Sequence, residues 1–422
     1  MPNRTIAPLL REITSLQLPK PEIIHLDNGI PVYITRMGTQ PVVRMELVFE
    51  AGRWYEEKKL ISRATSRLIK EGTRTRSGAD IAETVDFYGG SLAFPGSLDT
   101  SSVALFCLTK HFDKLLPLVD DLLTSPAFAE EEIAKFKRRS LQRFKMDTGK
   151  TDVIAYRKIT EMMFGKEHPY GYNSHPSMFD NIQREDLVNH FLKNYRTGNL
   201  KIFLSGSPTD DVLETLNKTL GRNLPEGSSI PNKVLIDPNP QQILSIPKKN
   251  NLQSAIRIGC KTFDRKHEDY NGFYILNTIL GGYFGARLMT NLREDKGYTY
   301  GVYSNLEPMR YDGYFNVSTE VAKGAASDAV GEIYKEFERL REKPVGDEEL
   351  LMVRNYLLGY LLTGLDGPFN VSEMVKMVAI DDLDINFFDN MVQTIKTITP
   401  NEIQALANKY LKRENMYEVV VG

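Results

Sequence analysis

Long apolar runs are missing from this chain. No window approaches the roughly 20 consecutive apolar residues that a membrane-spanning helix requires, so no membrane association is expected. Cysteine is nearly absent as well. Cys107 and Cys260 are the only two, each inside an apolar strand-like run, and that placement predicts buried free thiols rather than a disulfide framework. Neither sign of charge dominates: 53 basic and 55 acidic residues give a formal net charge of −2, which supplies no general attraction to nucleic acid or anionic lipid. Histidine is sparse. His25, His111, His168, His175, His190 and His267 include no pair three, four or five residues apart, so no helical turn offers two imidazoles to one metal ion. The chain also lacks a G-x-S-x-G elbow, a glycine-rich phosphate loop followed by lysine and Ser/Thr, and any C-x-x-C, which removes the common serine-hydrolase, nucleotide and thiol-redox signatures.

What remains is an ordinary globular composition, 26% charged and 41% hydrophobic over 422 residues, enough for about two to four domains. The opening stretch has no uninterrupted apolar core and no small-residue cleavage site, so it does not read as a secretory signal. The expected compartment is the cytoplasm, or the periplasm if an export signal has been removed from a longer form. Residues 1–22 read as an N-terminal extension, with Pro19 and Pro21 barring a helix before the first strand. Two strands follow around an Asp27-Asn28-Gly29 turn. In a third, Val43, Met45, Leu47 and Phe49 alternate with Arg44, Glu46, Val48 and Glu50, which predicts one buried and one wet face of an antiparallel sheet. Helices are expected at about 56–70, 78–88, 111–124, 129–163 and 184–195, and a strand at 200–205 closes the unit.

The plan then repeats. REDLVNHFLKNYRTGNLKIFLSG (184–206) is echoed by PNEIQALANKYLKRENMYEVVVG (400–422), each an amphipathic helix, a polar turn and a β-branched strand. The strand at 42–52 is echoed at 254–260. A Pro-, Asn-, Ser- and Gly-rich stretch at 223–240 reads as a linker. The chain therefore divides into a domain at 23–222 and a second at 241–422. The fold class expected is α+β, two pseudo-repeated domains, each a mostly antiparallel sheet with helices packed on one face.

One stretch of the second half carries the chemistry. In GGYFGARLMTNLREDKGYTYGVYS (281–304), Ala286, Leu288, Met289 and Leu292 recur at offsets of three and four, marking the apolar face of a short helix. Gly297 can end it in the left-handed conformation, and an aromatic strand follows. Arg293 then stands in the last helical turn and Tyr300 on the strand. A guanidinium beside a phenol offers directional donors suited to a peptide carbonyl or to the oxyanion formed when it is attacked. The plainer alternative is a solvated helix-end cation and an ordinary strand aromatic.

The pair, its preceding Gly-Gly break and the repeat resemble the insulinase, pitrilysin and mitochondrial-processing-peptidase family of zinc peptidases over nearly the whole chain. That resemblance implies a clamshell enclosing an unfolded peptide, this chain forming half of it. It further implies that Arg293 and Tyr300 assist catalysis at the scissile bond, with Gly281, Gly282, Tyr283 and Tyr298 binding substrate. The Gly281–Gly285 segment is similar to the glycine-rich loop of non-catalytic family members, or is simply a helix break.

The family's zinc motif, an inverted His-x-x-Glu-His ahead of a turn here written Glu71-Gly72-Thr73, falls on Arg63-Ala64-Thr65-Ser66-Arg67. Both ligand positions are arginine and the general-base position is Ser66. Guanidinium groups have no lone pair to offer and stay charged, so no metal or other cofactor is expected in this chain. The region matching the third ligand, KFKRRSLQRFK (135–145), contains no acid. Arg63 and Arg67 share a helix face, as do Arg139 and Arg143. They either crowd one anion-binding pocket or point to solvent and pair with carboxylates such as Glu56 and Glu57. Because some family enzymes divide metal and substrate contacts between chains, the resemblance implies a heterodimer whose homologous partner carries the zinc. The alternative is a catalytically silent scaffold or peptide-binding protein of the same fold.

Overall fold

A computed structural model describes residues 13, 15–233, 241–249 and 251–422. The extension expected at 1–22 and the linker expected at 223–240 therefore fall partly outside the described residues. Two sheets organise the chain. The first contains β1 (Glu22–His25), β2 (Pro31–Arg36), β3 (Val42–Phe49), β4 (Ser91–Ala93), β5 (Ser101–Leu108) and β6 (Leu200–Gly206), in the order β1-β2-β6-β3-β5-β4. The second contains β7 (Ile243–Ile246), β8 (Gln253–Thr262), β9 (Thr299–Pro308), β10 (Gly313–Ala322) and β11 (Tyr417–Val421), in the order β7-β11-β8-β10-β9. With β1 set aside, the two orders are the same. Each has one parallel pair, β2 with β6 and β7 with β11, while the other pairings are antiparallel. This is the pseudo-repeated α+β plan expected from the echoed segments.

Local chemistry repeats too. The Arg184–Asn194 helix begins with the Asp186 carboxylate accepting from the Gln183 amide at 2.9 Å, and the Pro400–Tyr410 helix begins with Glu402 accepting from the Thr399 amide at 2.7 Å. Such acids satisfy amides that the first helical turn leaves without partners. Cys107 on β5 and Cys260 on β8 are buried and free, and burial pushes both thiols up, to about 11 and about 12. Among the described residues, no helix is long and apolar enough to cross a membrane.

Two expectations about elements need correction. The helix expected over 129–163 is two, Glu130–Asp147 and Thr151–Phe164. The break falls at Gly149, where an intrahelical run would place the residue with the largest backbone entropy cost. The wet face assigned to β3 is also covered: Glu46 and Val48 are buried. Their cover is the Gly367–Ile380 helix of the second half, whose Val371 and Val375 pack with Val48 and Phe203. Reciprocally, the Thr151–Phe164 helix of the first half lays Ala155, Ile159 and Met163 against Ala255, Val419 and Val421 of the second sheet. Each half thus packs its own helices on one sheet face and receives a helix from the other half on the opposite face. Leu16 lies in the second core.

Candidate functional site

The Tyr270–Asn277 helix does not stop where the sequence breaks. It continues as a π turn, Thr278–Gly282, and a second π turn runs over Met289–Asp295, with the Lys296 amide donating to the Asn291 carbonyl at 3.0 Å. Such i→i+5 turns are rare and concentrate at functional positions. Gly281 is there because the strand is close: a Cβ would sit 2.7 Å from the Ser304 amide of β9. Gly282 is exposed, and a Cβ on it would lie 3.3 Å from the Asn277 carbonyl. Ala286, Leu288, Met289 and Leu292 are buried, and Gly297 takes φ +65°, the left-handed conformation expected of it.

Arg293 leaves the second π turn toward solvent. Its guanidinium carbon stands 5.0 Å from the Phe284 ring centre and 4.7 Å from that of Tyr300. Tyr300 is 88% exposed and Phe284 is 59% exposed. Tyr300 owes its position to a bulge. Thr299 pairs with Val321 and Val302 with Thr319, so Tyr300 and Gly301 together oppose Glu320. A bulge of this kind kinks the strand and re-aims a side chain. Thr299 and Thr319 hold it, both hydroxyls donating to the Gly301 carbonyl at 2.9 Å. Among the described residues Arg293 has no carboxylate and no hydrogen-bond acceptor. Its N–H groups are held between two aromatic faces and left available to a ligand.

Tyr283 and Tyr298 stand apart from that pair. The Tyr283 ring lies 4.8 Å from Tyr356, its hydroxyl donates to the Met352 sulfur at 3.6 Å, and Tyr298 packs on the second core. Sequence reasoning passed over Phe284 as a partner of Arg293. It also passed over the Asp347–Thr363 helix, which exposes Leu351, Met352, Tyr356 and Tyr360 while burying Leu350, Val353 and Leu357. The signal was available, since LLMVRNYLLGYLL has only Arg354 and Asn355 as strongly polar residues and a helix facing solvent normally has more.

In the first half, the Ile61–Leu68 helix buries Ile61, Ala64, Thr65 and Leu68 and presents Arg63 and Arg67 on the other face. Gly72 follows at φ +137°, a conformation only glycine adopts readily. Arg63, Arg67, Arg139 and Arg143 line one cavity of about 460 Å³ between this helix and Glu130–Asp147. Glu56 and Glu57 do not neutralise them. Glu56 is buried, accepting from the Ser62 amide at 3.1 Å, the Ser62 hydroxyl at 2.8 Å and Tyr172, and Glu57 pairs with Lys193 at 2.7 Å. Partial desolvation where it lines the cavity lowers the basicity of the otherwise exposed Arg63, and the neighbouring Arg53, Arg67 and Arg143 lower it further. Ser66 is buried against a second, hydroxyl-lined cavity of about 440 Å³ that Arg63 and Arg67 also reach.

Three of the six histidines are accounted for by packing. His168 is buried between Trp54 and Phe164, His190 is buried beneath Ala51, and His267 stacks on Phe263 at 4.1 Å. Among the described residues no three His, Cys, Asp or Glu side chains gather as a metal site.

Residues 32–168 match the family model described as Insulinase (Peptidase family M16), and residues 181–357 match the model described as Peptidase M16 inactive domain. The chain belongs to the insulinase family of peptidases. Relatives within it include an uncharacterized zinc protease of Rickettsia felis, 26% identical over 90% of this chain and 98% of that one. Another is the non-peptidase homolog YmxG of Helicobacter pylori, 26% identical over 78% of this chain and 77% of that one. A solved structure of a peptidase M16 inactive domain from Pseudomonas fluorescens shares the fold, with a TM-score of 0.88 at 21% identity over 95% of this chain and 98% of that one. The zinc that an insulinase-family site implies does not fit the residues present at Arg63, Ser66 and Arg67. Two guanidiniums there would repel a dication, and a lone hydroxyl is a poor ligand and a poor general base.

Proposed function

We propose that this chain is the substrate-holding, non-zinc subunit of a two-chain metallopeptidase that degrades or processes unfolded peptides. Its partner is a homologous chain with an intact His-x-x-Glu-His, and the zinc belongs there. The observation that carries the reading is Arg293, a guanidinium clamped by Phe284 and Tyr300 with its donors unused. In this role Arg293 donates to a substrate carbonyl and Tyr300 donates its phenolic proton's hydrogen bond to the developing oxyanion. The near-balanced charge of the chain favours peptide over nucleic acid as ligand, and the proposed site of action is the cytoplasm, or the periplasm if an export signal has been removed.

The test has three arms. Elemental analysis of the purified chain is expected to find no stoichiometric zinc. Peptide cleavage is expected to be absent from the chain alone and to appear on mixing with the zinc-motif partner. It is then expected to fall on Arg293→Ala. A second reading, a silent scaffold, is favoured by the name non-peptidase homolog given to the Helicobacter pylori relative. An active mixture whose turnover ignores Arg293→Ala decides for that reading.

A further inference from the structure

We propose that the arginine-lined cavity of the first half is a carboxylate-binding subsite that selects acidic peptide segments. This deepens the peptide-holding reading and rests on it. The cavity between the Ile61–Leu68 and Glu130–Asp147 helices is lined by eight lysines and arginines and by three carboxylates. Each carboxylate has a basic neighbour already: Glu71 lies 3.8 Å from Lys70, Glu132 lies 2.8 Å from Lys135, and Asp147 lies 3.6 Å from Arg143. Among the described residues, Arg63, Arg67 and Arg139 have neither an ion pair nor a hydrogen-bond acceptor. The positive potential they create is uncompensated.

The walls are fixed in place. Arg53 donates to the carbonyls of Pro169 at 2.9 Å and Tyr172 at 3.1 Å while stacking 4.2 Å from the Tyr172 ring, and Arg157 donates to the Ser174 carbonyl and lies 5.2 Å from the Phe144 ring. An anion entering the cavity meets a wall in which Arg53 and Arg157 are already held in place, with Arg63, Arg67 and Arg139 free to close on it in bidentate contacts.

Shape points to an extended peptide. The hydroxyl-lined cavity meets the arginine cavity at Arg53, Arg63 and Arg67, which border both. The two cavities adjoin across those arginines, with Ser66, Ser97 and Thr100 lining the second. Carboxylate side chains fit the first part and backbone amides and carbonyls fit the second. A volume of about 460 Å³ takes side chains of a strand and not a folded domain.

The experiment uses the full chain and two fluorescently labelled extended peptides, identical except that the glutamates of one are glutamines in the other. Anisotropy titrations are expected to show the glutamate peptide binding on the order of tenfold more tightly or better at low salt, with the preference shrinking as salt rises. Arg63→Gln/Arg67→Gln is expected to erase the preference, bringing the affinity for the glutamate peptide down to that for the glutamine peptide. Both arginines are exposed, and circular dichroism verifies that the variant is folded. Equal affinity for the two peptides, a preference that survives the double substitution, or sulfate binding without peptide discrimination would overturn the subsite. The Arg293→Ala arm separates the two readings. If it leaves both affinities and the turnover of the mixture with the zinc-motif partner unchanged while the glutamate preference stands, the Arg293 reading fails and the subsite does not, and binding of neither peptide overturns both.

Discussion

The guanidinium of Arg293 stacks 4.7 Å from the ring centre of Tyr300, the two joined across a π turn and a strand bulge rather than by a hydrogen bond. A cation held by ring faces keeps its N–H groups free, so the pair is organised before substrate arrives. In the reconstituted enzyme, Arg293→Ala and Tyr300→Phe are each expected to lower turnover by about 100- to 1000-fold, the usual consequence of removing one transition-state donor. Arg293→Lys is expected to recover little, because an ammonium lacks the planar fork. Thermal midpoints should hardly move, since Tyr300 is 88% exposed. A variant that loses activity only together with its melting transition would show that the pair is structural.

Restoring a metal site is expected to need both facing helices. Arg63→His/Ser66→Glu/Arg67→His rebuilds the two imidazoles and the base on one helix, yet Arg139 and Arg143 still line the same cavity. Their charge opposes a dication, and a catalytic zinc site takes three protein ligands. The triple variant should therefore stay zinc-poor after dialysis. Adding Arg143→Glu, at a guanidinium that acts on Arg63 directly, should raise the zinc content toward one per chain. Stoichiometric zinc in the unaltered protein would contradict both expectations.

Acid is expected to destabilise the first half through a neutral buried imidazole. His190 Nε2 donates to the Ala51 carbonyl at 3.1 Å, and Nδ1 accepts from the Asn194 amide at 3.0 Å. That amide is oriented by donating also to the His190 carbonyl at 3.0 Å, so Nδ1 carries no proton. Burial pushes the His190 ring down to about 4 from 6.5. Because the folded value lies below the unfolded one, stability is fully present above about pH 6.5 and is lost as the pH falls toward 4, on the order of 3 kcal/mol in all. His168, also pushed down to about 4 by burial, acts in the same direction. Urea midpoints measured from pH 7 to 4 should fall in the native protein and fall less steeply in His190→Gln. Equal slopes would remove His190 from the account.

How far the sequence anticipates this molecule depends on whether the covering group is local. Gly297 was legible because a left-handed helix end is a property of adjacent residues, and the shared face of Arg63 and Arg67 follows from their spacing alone. The repeat of the two halves was legible in the echoed segments, though the order of the strands was not. Glu46 was not: alternation along β3 marks it as solvent-facing, yet the helix that covers it comes 330 residues later. The π turns that set Arg293 were hidden for another reason, since apolar spacing reports which side of a turn is buried and not whether its amides reach back four residues or five.

That distant cover yields a stability prediction at the seam between the halves. Glu46, its side chain 5% exposed, accepts from Arg44 at 2.8 Å and from Lys376 at 2.9 Å. Removing one member of a buried ion pair leaves its partner desolvated without compensation, which costs about 3 to 5 kcal/mol. Here Glu373 also lies within reach of both cations, 2.5 Å from Arg44 and 2.6 Å from Lys376, and is 43% exposed, so the lower end applies and Glu46→Gln should cost about 3 kcal/mol. A double substitution, Glu46→Leu with Lys376→Met, replaces the pair by apolar groups beside Val48 and Val375 and should recover most of that loss. Chemical denaturation of the three proteins measures the difference. Should Glu46→Gln unfold at the same denaturant concentration as the native chain, the Glu46 ion pairs contribute nothing to this part of the seam, and the packing of Val371 and Val375 on Val48 and Phe203 carries it.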